Sequence, residues 1–423
     1  MRYWILLIAS SLSTSIVYAT DVPTNNHIAL NQAIVNVLEK NPLLKANGYT
    51  ARATAARIKQ ARQSTPVNIK IEMQNFSGSG VYRGSDSMET TLSFATVLEL
   101  GNKARLRGNV ARQETSLLQS TQDAVRLDLL AKTARRFLHV VVDQQRLVIA
   151  NDKLILMQHT LKTVSQRVNA GRSPVSERRK VAIAYARAEM ELEHAEHELA
   201  TSRLKLSSLW GETRPTFAKA QAELFDLPKV EDFTALVDQL QYNPDIVRFA
   251  TQTRLAEARL RVAHARSRSN IEVSAGIRHY RENDDQAFVL SASMPIGSGS
   301  RAAPYIEEES LLGQRGSFDF QERRLELHTK LFEIYQELLH AETALFTLQK
   351  KIIPQAQYVL RAYDKGYSAG RYSLLELTDA QRTLLDARLE AVMAAADYHR
   401  YQIEIERLTG ARLPIIKSAG VAQ

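Results

Sequence analysis

The sequence predicts a mainly α chain that carries four membrane-type β-strands, and three observations predict it. One order of elements occurs twice along the chain. Each copy holds a heptad-patterned stretch long enough for a helix of about 100 Å at ~1.5 Å per residue. Each copy also holds a pair of segments of roughly ten residues in which apolar and polar residues alternate.

The start of the chain reads as an export signal over residues 1–19. Arg2 supplies a positive start, an apolar stretch runs from Ile5 to Val17, and Val17-Tyr18-Ala19 offers a cleavage site before Thr20. Ser10, Ser11, Ser13, Thr14 and Ser15 interrupt the stretch, which falls short of the ~20 apolar residues of a spanning helix. No later run is long and apolar enough to span as a helix, so membrane structure in the mature chain has to be β. There is no cysteine among the 423 residues. That excludes disulfides, thiolate metal sites and a lipidated N-terminal cysteine, and leaves packing to hold the chain together. The formal net charge is +9, but the basic residues are spread among 46 acidic ones without an aromatic-basic cluster. The reading is a solvated mixed-charge surface and no nucleic-acid partner.

The two copies cover residues 20–211 and 232–410, separated by a linker over 212–231 with Pro215 and Pro228, and followed by a tail over 411–423. Asn41-Pro42 recurs as Asn243-Pro244, Ala170-Gly171-Arg172 as Ala369-Gly370-Arg371, and Leu209-Trp210-Gly211 as Leu408-Thr409-Gly410. In the first copy the pattern predicts a helix over 28–63, strands over 67–76 and 89–100, a long helix over 103–168 and a helix over 175–209. In the second it predicts a helix over 245–267, strands over 271–280 and 286–296, a long helix over 304–366 and a helix over 374–408.

In the strands, Val67, Ile69, Ile71 and Met73 alternate with Asn68, Lys70, Glu72 and Gln74, and Phe288, Leu290, Ala292 and Met294 alternate with Val289, Ser291 and Ser293. A soluble hairpin gives the same alternation, so the pattern alone leaves both readings open. If the strands lie in lipid, four cannot close a barrel, and open edges are not tolerated there because nothing satisfies their backbone groups. Two chains give eight strands, whose bore is filled by side chains; three give twelve and leave a channel, so a conduit favours a trimer. In the first long helix Leu117, Ala124, Ala131 and Leu138 recur at seven-residue spacing, with Leu127, Ala134, Val141, Val148 and Ile155 offset by three. Leu331, Ile334, Leu338, Ala341, Leu345, Leu348 and Ile352 repeat the seam, and Pro354 predicts a kink or break. Within each copy the two shorter helices together match the long one. Stacked end to end, they would cover its seam.

No catalytic constellation emerges. His194 and His197 share a helical face and form a weak metal candidate in a segment rich in Glu, Ala and Arg. Gly78-Ser79-Gly80 and Gly297-Ser298-Gly299 lack the surroundings of a nucleotide or nucleophile loop. The reading is a non-enzyme without a cofactor.

The repeat, the order of elements and the paired turn motifs together resemble the TolC-type outer-membrane efflux proteins over nearly the whole mature chain. Ile71-Glu72-Met73-Gln74-Asn75-Phe76-Ser77-Gly78-Ser79-Gly80 and Val168-Asn169-Ala170-Gly171-Arg172-Ser173-Pro174 are similar to the cobalt-zinc-cadmium resistance branch. The resemblance implies a homotrimer with a 12-stranded β-barrel in the outer membrane of a Gram-negative cell and a long α-helical coiled-coil barrel in the periplasm. It implies two partners, a periplasmic adaptor and an inner-membrane proton-coupled transporter. The cargo on this reading is a divalent heavy-metal cation; drugs or a secreted polypeptide are the alternatives, and a periplasmic coiled-coil scaffold is the alternative of another class. The resemblance further places adaptor docking at Ala170, Gly171, Arg172, Ser173, Ala369, Gly370, Arg371 and Tyr372. It places a periplasmic gate at Glu177, Tyr367, Glu376 and Asp379. One departure stands out: where drug-efflux relatives carry an Arg that holds the closed state, this chain has Tyr372, with Arg371 beside it.

Overall fold

The computed structural model describes residues 27–410, so the expected signal peptide over 1–19 and the tail over 411–423 lie outside the described residues. The first copy begins with β1 (His27–Ile28), α1 (Leu30–Lys40) and α2 (Pro42–Ala61). The expected single helix over 28–63 is thus two. Pro42 has no N–H to continue α1, and Asn41 sits in extended backbone and accepts from the Leu43 and Leu44 N–H groups. Next come β2 (Asn68–Gln74), β3 (Glu89–Leu98), the long α3 (Lys103–Asn169) and α4 (Val175–Ser207). The linker contributes β4 (Lys219–Ala220), paired with β1, and α5 (Phe233–Gln239) follows at the start of the second copy.

The second copy runs α6 (Pro244–Arg266), β5 (Ile271–Tyr280), β6 (Asp285–Ser293), α7 (Ser298–Thr347), a π turn (Leu348–Ile352), α8 (Ile353–Ser368) and α9 (Leu374–Thr409). Two expectations need correction here. The long helix starts at Ser298 rather than 304, because Gly297 at φ +80° turns the chain straight from β6 into the helix, as Gly101 at φ +81° does before α3. Pro304 therefore lies inside α7, not at its start. And the helix is not one α-helix to 366. Pro354 cannot donate to the turn before it, and the π turn absorbs the mismatch.

The 67 residues of α3 make a rod of about 100 Å. Two short helices line it end to end, and the repeated sequence markers are the joint. Asn41 donates through Nδ2 to the Leu209 carbonyl at 2.6 Å, tying the start of α2 to the segment that follows α4. Asn243 does the same to the Leu408 carbonyl at 2.6 Å, tying α6 to α9. Around this joint a branched ion-pair network crosses four helices. Asp245 on α6 accepts from Arg323 on α7 at 3.4 Å and from Arg407 on α9 at 3.3 Å, and Arg407 also reaches Asp128 on α3.

The core clusters around mid-α3, where Ala131, Ala134, Phe137 and Val140 are fully buried. Its heptad seam holds through Leu138 and Val141 and then rotates outward, leaving Val148 and Ile155 more than half exposed. A straight helix drifts ~20° per heptad from a strict seven-residue repeat, which is why the pattern outlasts the burial within one chain.

At the end of α3 remote from α4, β2, β3, β5 and β6 form one antiparallel sheet in that order. Its register aligns apolar residues in rows. Ile69, Phe94, Ala275 and Leu290 form one row, and Ile71, Leu92, Ile277 and Phe288 the next. The opposite face aligns Glu72, Thr91, Arg278 and Ala287, where Arg278 donates to Thr91 Oγ1 at 2.9 Å and pairs with Glu89 at 2.8 Å. Gly276 faces that side, where a Cβ would meet the Leu92 carbonyl at 2.4 Å.

Candidate functional site at the helical tips

At the other end of the rods the chain reverses twice, from α3 to α4 and from α8 to α9. Both reversals use the same helix stop. Gly171 at φ +70° donates to the Val168 carbonyl while Arg172 donates to that of Arg167; Gly370 at φ +79° donates to Tyr367 while Arg371 donates to Gly366. This paired bonding satisfies the last carbonyls and requires a left-handed residue, hence glycine at both places. The second reversal then re-enters helix through a reciprocal cap. Ser373 Oγ accepts from the Glu376 N–H at 3.3 Å, and Glu376 Oε2 accepts from the Ser373 N–H at 2.7 Å.

The two hairpins lean on each other through one basic residue that sequence reasoning missed. Arg167 projects from the last turn of α3 onto the other hairpin. Its Nη1 donates to the Tyr367 carbonyl at 2.7 Å and more weakly to that of Ser368, while its Nε donates to Ser173 Oγ at 3.2 Å. The guanidinium also lies 4.7 Å from the centre of the Tyr367 ring. Tyr367 is buried, and its hydroxyl donates to Glu177 Oε2 at 3.1 Å. Burial pushes the phenol above its ordinary value; the Ser173 hydrogen bond opposes this and the Glu177 carboxylate adds to it. A small apolar cluster of Val164, Val181, Leu374 and Leu377 seats the ring.

The expected gate residues therefore separate into three situations within one chain. Glu177 and Tyr367 touch. Glu376 is exposed and engaged in its helix cap, where the Ser373 N–H and then its hydroxyl hold the carboxyl below its ordinary value. Asp379 is exposed and pairs with Arg382 at 2.7 Å. Among the expected tip residues, Ala170, Gly171, Arg172, Ala369, Gly370 and Arg371 are exposed, and Ser173 is half-buried under Arg167. Tyr372 packs on Tyr363 at 4.5 Å and covers Gly366 so closely that a Cβ there would lie 2.1 Å from its ring. His194 and His197 are exposed on α4, and no group of three or more potential metal ligands exists among the described residues. No described helix is long and apolar enough to cross a membrane.

A signal for Arg167 was present in the repeat. Four residues before the tip glycine the copies differ, Arg167 against Gly366, and two residues after it they differ again, Ser173 against Tyr372. In each copy those two positions pack together. A guanidinium-on-hydroxyl pair in one hairpin thus replaces an aromatic-on-glycine pair in the other.

Comparison with known proteins decides the family. The chain matches the outer membrane efflux protein family over residues 33–212 and 235–411. It belongs to that family. Among curated relatives it is 26% identical over 402 residues to the cobalt-zinc-cadmium resistance protein CzcC of Cupriavidus metallidurans, covering 95% of this chain and 94% of that one. It is 22% identical over 404 residues to the outer membrane protein TolC of Escherichia coli, covering 88% and 80%. Among solved structures, CusC superimposes with a TM-score of 0.76 at 17% identity, covering 91% of this chain and 92% of that one. The open state of the MtrE outer membrane channel of Neisseria gonorrhoeae gives 0.70 at 18% identity, covering 90% and 89%. The chain is an efflux protein of the outer membrane, with a fold made mostly of helices.

Proposed function

We propose that this efflux protein is the exit duct of a tripartite, proton-driven system and that its cargo is a divalent heavy-metal cation. One observation carries the duct reading: the four-stranded sheet ends on β2 and β6, two edges with no partner strand among the described residues, and its apolar rows face outward. Phe288 and Leu290 on β6 are 89% and 81% exposed, and Ile69 and Ile71 on β2 are about two-thirds exposed. A strand of ten residues is about 33 Å long, the thickness of a bilayer's hydrocarbon core. Lipid-exposed edges leave backbone groups unsatisfied, so neighbouring copies must complete the wall. Three copies give twelve strands around a water-filled bore, with the Arg278–Glu89 face lining it. The duct spends no energy of its own; the transporter in the inner membrane supplies it and a periplasmic adaptor joins the two at the glycine tips.

The cation cargo is supported by similarity to CzcC across nearly the whole of both chains. The acids near the tips fit it: three copies of Glu177, Glu376 and Asp379 form rings that attract cations at a constriction. Planar-bilayer recording tests the duct, and purified protein that forms no cation-selective pore refutes it. A deletion strain tests the cargo. Lost cobalt, zinc or cadmium tolerance supports it; intact metal tolerance with lost drug tolerance refutes it.

A further inference from the structure

The basic residues that look dispersed in the sequence are gathered by the fold. Four segments meet where the helices join the sheet: residues 52–62 at the end of α2, 99–114 at the start of α3, 254–268 at the end of α6 and 298–309 at the start of α7. They hold 14 Lys or Arg against 6 Glu, an excess of 8 in a chain whose whole formal charge is +9. Nearly all the net charge therefore sits in one belt beneath the sheet.

Two features show that the belt is not ordinary helix decoration. First, α3 opens with Lys103, Arg105 and Arg107 and has no acid in its first turn. Cations at a helix N-terminus oppose the helix dipole, so helix stability does not account for them. Second, the belt borders an open cavity of about 340 Å³ whose lining includes Arg57, Arg107, Arg259, Arg266 and Tyr305 together with two acids, Glu114 and Glu309. Arg107 is committed to Glu99, at 2.6 and 3.0 Å. Arg57 and Arg259 share the single carboxylate of Glu114, at 3.6 and 3.2 Å, which leaves one positive charge over. Arg266 makes no ion pair among the described residues and lies over the half-exposed ring of Tyr305, 4.5 Å from its centre; counting Glu309 as well, four guanidiniums against Glu99, Glu114 and Glu309 leave the cavity with one net positive charge. Arg105, Arg268 and Arg301 are exposed, also without an acidic partner among the described residues. All these groups fall within about 10 Å of the helix ends that face the sheet, a span a guanidinium on a long stem can bridge.

We propose that this belt seats the phosphate headgroups of the lipid leaflet beneath the sheet, with the Arg57–Arg259–Arg266 cavity as its main phosphate site. The inference rests on the sheet lying in the membrane. Guanidiniums fork onto phosphate oxygens, and the Tyr305 ring sits at the depth where amphipathic aromatics settle between headgroup and chain. The contact fixes the depth and tilt of the long rods beneath a short sheet.

The test uses the full-length protein with phosphatidylglycerol and with phosphatidylcholine, reading bound lipid by native mass spectrometry and membrane association by vesicle flotation. Wild type is expected to retain phosphatidylglycerol in preference, with the preference falling as NaCl rises from 0.05 to 0.5 M, values chosen to span strong and weak screening at about 10 Å. R57Q/R259Q/R266Q is expected to lose up to about a hundredfold of the preference, since each of the three basic groups at an anionic surface contributes about fivefold. R57K/R259K/R266K is expected to keep most of it. Equal retention of both lipids by wild type, or a salt-independent preference, overturns the proposal without need of a variant. Inorganic phosphate that binds wild type where neither lipid is preferred marks a free-anion site and also overturns it. Flotation separates the two readings: protein that floats with both vesicles but shows no headgroup preference sinks this inference alone. Protein that floats with neither refutes the membrane placement as well.

Discussion

Replacing Arg167 by Ala removes the strut between the two tip hairpins, and its effect can be worked from the contacts. Across a partly buried gap the guanidinium donates to the Tyr367 carbonyl at 2.7 Å and stacks at 4.7 Å on the Tyr367 ring, while its 3.2 Å bond to Ser173 stays within its own hairpin. A charged donor in such a setting contributes about 1 kcal/mol per bond once solvent competition is counted, and a partly exposed ring stack about 0.5 kcal/mol. The loss is about 1.5 kcal/mol, which shifts the docking equilibrium of the hairpins by about tenfold. If the docked hairpins are the narrow state of the proposed gate, single-channel recordings of R167A will show an open probability raised by about that factor wherever the wild type is mostly shut. R167K keeps a charge but not the fork, so it should fall between the two. Tyr367→Phe removes the phenol's bonds to Glu177 and Ser173 and should give a rise of about fivefold for ~1 kcal/mol. An R167A protein that assembles normally and gates like wild type would refute the strut.

Three further outcomes follow from the same structure. Glu406 on α9 is pushed up to about 8 by burial, against a weaker pull from its Gln402 hydrogen bond, and one of its carboxylate oxygens has no partner. A raised carboxyl favours the fold while protonated. Its contribution is complete below about pH 4.5 and is lost as pH climbs through about 8. Glu406→Gln should therefore raise stability by about 1–2 kcal/mol at pH 8 and change it little at pH 4.5, read as the shift in thermal midpoint at the two pH values. Asn243→Ala strips a helix cap and leaves the buried Leu408 carbonyl unpaired, for a loss of about 2–3 kcal/mol in denaturant titration. Gly276→Val drives a side chain into the Leu92 carbonyl and the Ser93 backbone, so the β3–β5 pairing should fail and membrane-inserted protein should fall sharply in heat-modifiability gels.

What could be read from the sequence was what repeats or alternates. The period-two runs fixed which residues of β2, β3, β5 and β6 share a face, because a one-residue slip would invert every side chain. The duplicated Asn-Pro and Leu-Trp-Gly or Leu-Thr-Gly markers located both ends of the stacked helices, although nothing in their spacing said that Asn41 binds Leu209 and Asn243 binds Leu408. Contacts between distant segments stayed hidden for that reason. Arg167 looked like one more basic residue in a helix until the second hairpin was placed against it, 200 residues away in the chain. The basic belt was invisible in the same way: its four segments are unremarkable one at a time and become a patch only when two hairpins of sheet bring four helix ends together. The π turn before Pro354 was half legible, since proline announces a defect but not which defect the neighbouring helices will accept.

Divergence between the copies at the tips has a physical logic that bears on the duct. Two identical hairpins related by a twofold would have to repeat every contact reciprocally, whereas divergent ones allow a single one-way contact. Here one copy contributes the cation, Arg167, and the carboxylate, Glu177, while the other contributes the backbone carbonyls and the phenol of Tyr367. The corresponding positions in the second copy, Gly366 and Glu376, are spent on its own turn, under Tyr372 and in the Ser373 cap. The α8–α9 hairpin is thus internally braced and the α3–α4 hairpin reaches across to it. In a threefold assembly this asymmetry gives each subunit a strong contact within itself and leaves the exposed Asp379–Arg382 edge and Arg371 free to face a neighbour or an adaptor. If the tips form the proposed gate, opening is expected to separate the two hairpins at Arg167 while each hairpin keeps its shape.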